Sequence, residues 1–174
     1  MTYDALTPYW PRVMAAAQSA QGYRAVFPIL GELVQTFIGT GLLTCSVYDM
    51  EARQSRRIYT ENAEAYPVGG YKPISEGAWA EQVLERHEIY ATLSIAEIAE
   101  IFFDWELIRS LGFDSNANIP VVVAGRVIGT LNLLDRTGYY TAERLAAAAM
   151  LMPVATIAFL LAERSNPFAQ AELV

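Results

Sequence analysis

A chain of 174 residues with a net charge of −7 points to one domain, residues 1–174, and gives a nucleic acid no broad basic surface to hold. Its residues are 53% apolar and 18% charged, enough for a large core and a further surface buried against a partner. One cysteine, Cys45, rules out an internal disulfide and argues against a cysteine-built zinc site. The start, MTYDALTPYWPRV, has no basic segment followed by an apolar one, so no secretory signal is read and the cytoplasm is the expected compartment.

In chain order, residues 9–20 read as a helix, with Pro11 where a first turn tolerates it. Val26, Phe27, Leu30, Leu33, Val34, Phe37 and Ile38 follow helical spacing and predict a second helix, whose Pro28 fits only near its first turn. LLTCSVYDM (42–50) alternates: Leu43, Cys45 and Val47 on one face, Thr44, Ser46 and Tyr48 on the other. Residues 53–60 read as its hairpin partner, and Arg53, Arg56 and Arg57 there as a solvated strand edge. Residues 65–73 read as loop, 76–86 as a helix capped by Ser75, and 87–93 as a short strand. Ser94 to Glu97 is a capping box, Asp104 a cap for another short helix, and Gly112 its terminator. FDSNANIP (113–120) reads as a polar loop. Two strands follow around Ala124-Gly125, then a helix capped by Thr141.

From 145 to 162 that last helix carries no charge. Leu145, Met152 and Phe159 repeat every seven residues, the spacing of a seam facing another helix. Met150, Val154, Ile157 and Leu161 form a second row, and Ala147, Ala148, Ala155, Ala158 and Ala162 a third. A membrane span needs about 20 predominantly apolar residues. This stretch barely reaches that, is rich in alanine and has Pro153 at its centre, so a buried helix with a dimer face is expected instead.

Helices at both termini and strands joined by short turns predict an α+β fold. The expected form is an antiparallel five- to six-stranded sheet, with N- and C-terminal helices packed on one face and a cover of loops and short helices on the other. Gly125-Arg-Val-Ile-Gly129-Thr-Leu-Asn-Leu133, followed by Tyr140-Thr141-Ala-Glu143, resembles the C-terminal half of a GAF domain. The resemblance extends over about 20–163, with 1–19 as an N-terminal helix and 164–174 as a tail; parts of the order also suit a PAS domain. It implies a small sensory module that binds cyclic nucleotides, tetrapyrroles, other small molecules or nothing, with terminal helices that often pair in a dimer. Family members that attach a tetrapyrrole through a cysteine need a thiol near the pocket, whereas Cys45 lies on the apolar face of its strand. Those that reduce free methionine sulfoxide need a second thiol to resolve a sulfenic acid. The cyclic-nucleotide signature is incomplete, since no Lys follows Asn132. No cofactor is therefore expected.

On this layout Leu43, Cys45, Val47, Val127, Leu131 and Leu133 face the terminal helices. Ser46, Tyr48, Thr130 and Asn132, with Thr44, face the middle segment and make a polar floor for a small ligand. Tyr71, Trp79, Phe102, Trp105 and Phe113, with Phe103, supply aromatic walls. Ser115, Asn116 and Asn118 add hydrogen bonds, and Arg109 is positioned to clamp a carboxylate or phosphate. Each has a plainer alternative: aromatics that fill core, Arg109 paired with Glu106 or Asp104, Asn132 bonded to backbone. His87, the only histidine, lies between Arg86 and Glu88 with no nucleophile elbow or metal-ligand spacing in the chain. The expectation is a small-molecule-binding sensory or regulatory module, non-catalytic and homodimeric through its terminal helices. The ligand is anionic if Arg109 anchors it. The alternatives are a scaffold whose cavity is filled by Tyr48, Trp79 and Phe113, and an enzyme of unrecognised substrate.

Overall fold

The computed structural model describes residues 3–74 and 76–165. Two compact units make up the chain, one running to Gly39 and resuming at Glu143, the other spanning Thr40–Ala142. Together they are an α+β fold with a six-stranded antiparallel sheet.

The first unit is helical. After a 3-10 turn come α1 (Trp10–Gln18) and α2 (Tyr23–Phe37); α6 (Ala142–Leu145) and α7 (Ala148–Arg164) return from the other end of the chain. Phe27 of α2 meets Phe159 of α7 edge to face, with ring centroids 5.2 Å apart. Buried Val154, Ala155, Ala158 and Ala162 leave α2 and α7 free to approach closely. Arg144 Nη1 donates to the carbonyl of Ile38 at 2.7 Å and ties α6 to the end of α2. Three expectations need correction. Pro28 lies in the second turn of α2, not its first, because the helix begins at Tyr23. The C-terminal rod is broken between Leu145 and Ala148, so Leu145 is outside the helix that carries Met152 and Phe159. Phe159 is buried while Met152 is partly exposed, and the seven-residue row is therefore not one seam. Among the described residues no helix is long and apolar enough to cross a membrane.

The second unit holds the sheet, in the order β3-β2-β1-β6-β5-β4. Its strands are β1 (Leu42–Asp49), β2 (Gln54–Thr60), β3 (Gly69–Pro73), β4 (Tyr90–Thr92), β5 (Ser115–Val123) and β6 (Arg126–Asp135). The β5–β6 hairpin turns on Ala124 (φ 50°) and Gly125 (φ 74°), the two left-handed residues of a type I′ turn. Among its described residues, three short helices complete the unit. These are α3 (Ala78–Ala80, continued by a π turn over Glu81–Glu85), α4 (Ile95–Ile101) and α5 (Trp105–Ser110). Ser94 Oγ caps α4 by accepting from Glu97 N at 3.3 Å, while Glu97 Oε2 reaches back to Leu93 N at 2.8 Å. Gly112, at φ 85°, closes α5: its N–H bonds Arg109 O and that of Phe113 bonds Ile108 O, a Schellman ending.

Three readings of the sequence differ here, and one falls outside the described residues. The stretch read as loop at 65–73 ends in β3, an edge strand whose Pro73 sits at its terminus, where a missing N–H is tolerated. The polar stretch at 113–120 is mostly β5, an interior strand, because its asparagines and serine find buried hydrogen-bond partners. Asp104 occupies the N-cap of α5 without a side-chain capping bond. Ser75, read as a cap, lies outside the described residues. In addition, Val127 packs with Ile74, Ala80, Val83 and Leu84. A bulge opposite Val121/Val122 reverses the alternation of β6 there, so Val127 shares a face with Thr130 and Asn132 rather than with Leu131.

Candidate functional site

The β1–β6–β5 register stacks Thr44 beside Asn132 and Asn132 beside Asn118 on one face of the sheet. Over them lies a half-enclosed cavity of about 600 Å³, roofed by residues 72–74, 76–79 and 100–104 and by Ile108. The floor is a hydrogen-bonded ladder. Trp79 Nε1 donates to Asn118 Oδ1 at 3.0 Å, as does Asn116 Nδ2. Asn118 Nδ2 donates to Asn132 Oδ1 at 2.8 Å. Asn132 Nδ2 in turn donates to Ser46 Oγ at 3.2 Å. Thr92 Oγ1 donates to Asn116 Oδ1 at 2.6 Å, closing the far end. Thr130 spends its hydrogen on Asn132 Oδ1 at 2.8 Å, so the Tyr48 hydroxyl, also 2.8 Å away, is the donor to Thr130. Burial pushes the Tyr48 phenol well above its ordinary range, which keeps it a neutral donor.

A charged wall borders this floor. Because Ser46 pairs with Arg57 across β1–β2, and Tyr48 with Ser55, both β2 residues line the cavity. Arg57 stacks over the Tyr66 ring at 4.7 Å and donates from Nη1 to Pro67 O at 3.2 Å. Its Nε and the Tyr66 hydroxyl are buried without a partner of regular hydrogen-bond geometry. Burial lowers the Arg57 pKa against the opposing pull of Tyr66 and Asp104, and burial raises the Tyr66 phenol, with Asp104 adding to the rise. Lys72 Nζ is 4.0 Å from Asp104 Oδ2 and half-exposed, a weak pair.

Of the residues singled out from the sequence, Thr44, Ser46, Tyr48, Trp79, Phe102, Phe103, Asn116, Asn118 and Asn132 line the cavity together. Thr130 lies directly behind it, bonded to Tyr48 and Asn132. The others lie elsewhere. Tyr71 alternates with Lys72 in β3 and meets Arg56, 5.6 Å from its ring centroid, on the opposite face. Ser115 donates at 2.7 Å to Arg136 O and is fully buried away from the lining. Trp105 and Phe113 pack on the cluster of Leu42, Tyr66, Ile98, Ile108 and Leu134. Arg109 is exposed on α5, outside the lining. Arg57, Tyr66 and Lys72 were missed. Counting outward from the β1–β2 turn, with Tyr48 opposite Ser55, puts Arg57 on the same face two residues on, a signal present in the alternation.

A GAF domain family model matches residues 21–159. The chain belongs to the GAF domain family. No curated protein matches it. Among solved structures, this GAF domain is similar to that of a two-component sensor histidine kinase from Bacillus halodurans. The TM-score is 0.67 at 11% identity, over 84% of this chain and 99% of that one. It is also similar to the GAF domain of an Acinetobacter phosphoenolpyruvate-protein phosphotransferase, with TM-score 0.64 at 16% identity over 100% and 98%. A third is the phycocyanobilin-bound GAF domain of a cyanobacterial phytochrome, with TM-score 0.63 at 14% identity over 94% and 95%. In this GAF domain Cys45 is fully buried and alternates away from cavity-lining Thr44 and Ser46; burial raises its thiol pKa well above the ordinary value. Among the described residues no group of three His, Cys, Asp or Glu is placed to hold a metal ion.

Proposed function

We propose that this GAF domain is a non-catalytic sensory or regulatory module that binds a small anionic ligand in the cavity, with Arg57 as its anchor. The observation that carries this is Arg57 Nε, buried without a hydrogen-bond partner of regular geometry while its guanidinium stacks on Tyr66, whose hydroxyl meets Asp104, at the wall of a cavity of about 600 Å³. A buried donor left without a partner costs about 1–3 kcal/mol, more when charged, and a carboxylate or phosphate arriving at Arg57 removes that cost. Ser46, Tyr48, Trp79, Phe102, Asn118 and Asn132 then contact the rest of the ligand. The open volume favours this reading over a scaffold with a self-filled interior.

The domain works as a homodimer through its terminal helices. Pro153, Ile157, Leu160 and Leu161 of α7 form a partly exposed apolar stripe at helical spacing, with Leu160 38% exposed, the kind of surface a second copy covers. Native mass spectrometry of the full chain tests both parts. A dimer that retains a small molecule, and an Arg57→Gln dimer that does not, is the expected result. A monomer at micromolar concentration removes the dimer. Wild-type protein that binds no carboxylate or phosphate removes the ligand reading.

A further inference from the structure

The ladder on the cavity floor has a polarity, and one residue sets it. An asparagine amide can be turned over, exchanging its oxygen and its NH2, whenever its neighbours accept either end. Thr44, Ser46, Thr92 and Thr130 are such neighbours, since a hydroxyl donates or accepts. The Trp79 indole is not: it only donates, and at 3.0 Å it requires an oxygen at Asn118 Oδ1. With that oxygen fixed, Asn116 has to present Nδ2 to it, and Asn118 has to present Nδ2 to Asn132 Oδ1. Asn132 must then present Nδ2 to Ser46 and, more distantly, to Thr44.

Hydrogen bonds can then be counted. Asn118 Oδ1 accepts from Trp79 and Asn116, and Asn132 Oδ1 from Asn118 and Thr130, so both oxygens are saturated. Asn116 and Asn118 each spend one Nδ2 hydrogen within the ladder and keep one. Ser46 and Thr44, accepting from Asn132, keep their hydroxyl hydrogens. The spare acceptors are one lone pair each on Asn116, Ser46 and Thr44, and the Tyr48 oxygen; the hydroxyls serve either way, so the surplus lies with the amides, two N–H hydrogens against one lone pair. All these residues line the cavity, and Asn116 and Asn118 are only 4% and 6% exposed, so their spare hydrogens lack easy access to bulk water.

From this surplus we infer that the cavity selects ligands that pair an anionic group with a second, hydrogen-bond-accepting edge of carbonyl or carboxylate type, and that Trp79 is the positioning residue for that choice. The inference rests on the anion-binding reading above. A ligand that brings N–H groups to the Asn116 and Asn118 amide hydrogens sets donor against donor and leaves buried groups unpaired on both sides, whereas the hydroxyls adapt to either edge. Such mismatches discriminate strongly, because the site's own polar groups lose their partners.

Three benzoates separate the two claims in NMR titrations of the full chain, read at the Trp79 indole and asparagine side-chain amide signals. Benzoate offers only a carboxylate for Arg57. The acceptor 4-acetylbenzoate and the near-isosteric donor 4-amidinobenzoate add opposite edges. The expected order is 4-acetylbenzoate tightest, benzoate between and 4-amidinobenzoate weakest, with the outer two separated by about tenfold or more. In Trp79→Phe the amides are free to turn over, and the ratio of 4-acetylbenzoate to 4-amidinobenzoate affinity collapses toward one, whatever the change in benzoate affinity. An amidinobenzoate that binds as well as the acetyl compound overturns the donor-floor inference and leaves the anion site standing. Wild-type protein whose cavity signals ignore benzoate overturns both. A Trp79→Phe protein with unchanged preference and an intact set of sheet resonances removes the role given to Trp79.

Discussion

The α2–α7 contact and the cavity floor are both buried, and they are held by opposite means. Between α2 and α7, Phe27 meets Phe159 beside alanines, and contact area does the stabilising. On the floor, three asparagines, an indole and several hydroxyls exchange directional bonds, and little apolar area is gained. Apolar packing degrades in proportion to the volume removed. A polar network fails in a different way, because deleting one member leaves its partners buried and unpaired. The helical contact therefore tolerates conservative change and the floor does not.

The largest expected effect tests the packed side of this contrast. Phe159 is fully buried and its ring contacts Phe27 edge to face. Phe159→Ala is expected to cost about 3–5 kcal/mol in urea unfolding, and Phe159→Leu, which keeps most of the volume, clearly less. Equal losses from both would mean that ring geometry rather than volume decides this contact.

Asn118→Leu, of similar size, comes next. It strips Trp79 and Asn116 of their acceptor and Asn132 of a donor. A loss of about 2–3 kcal/mol is expected, despite the more apolar side chain. An unchanged unfolding midpoint would show that solvent entering the cavity replaces the ladder, and the contrast between the two regions would dissolve.

That contrast also explains what could be read in advance. The split of β1 into Leu43, Cys45 and Val47 against Thr44, Ser46 and Tyr48 was legible because strand alternation is local and strong. The GAF hairpin of Gly125 to Leu133 was legible because glycine punctuates it. The floor was only half legible: Asn116, Asn118 and Ser115 suit a loop as well as a strand until their partners are known. The partner of Asn118 is Trp79, 39 residues away in sequence. Arg57 looked like a solvated edge residue because β2 is polar on both faces, and only its pairing with Ser46 turns it inward. The break between α6 and α7 leaves no mark in an alanine run, since alanine favours helix without demanding it.

The smallest expected effect lies at the surface of the helical unit. Arg12 of α1 and Glu32 of α2 form a two-pronged ion pair, each bond 2.7 Å long, with side chains 51% and 50% exposed. Ideal geometry is offset here by solvent screening and by the entropy of holding two long side chains. The hydrogen bond from Arg12 holds the Glu32 carboxyl below its usual range against the cost of burial, and the Arg12 charge adds a smaller pull in the same direction. The sign follows from that direction. A carboxyl whose folded pKa is depressed contributes stability above its unfolded pKa, and the contribution disappears as the pH falls through the folded one. Arg12→Ala should therefore melt within the scatter of repeat wild-type measurements in physiological salt. In low salt at neutral pH it should melt slightly earlier, and below the carboxylate range it should be indistinguishable from wild type. A large loss in high salt would mean that the guanidinium stem packs against α2 as an apolar strut, and that even this exposed contact belongs with the Phe27–Phe159 kind.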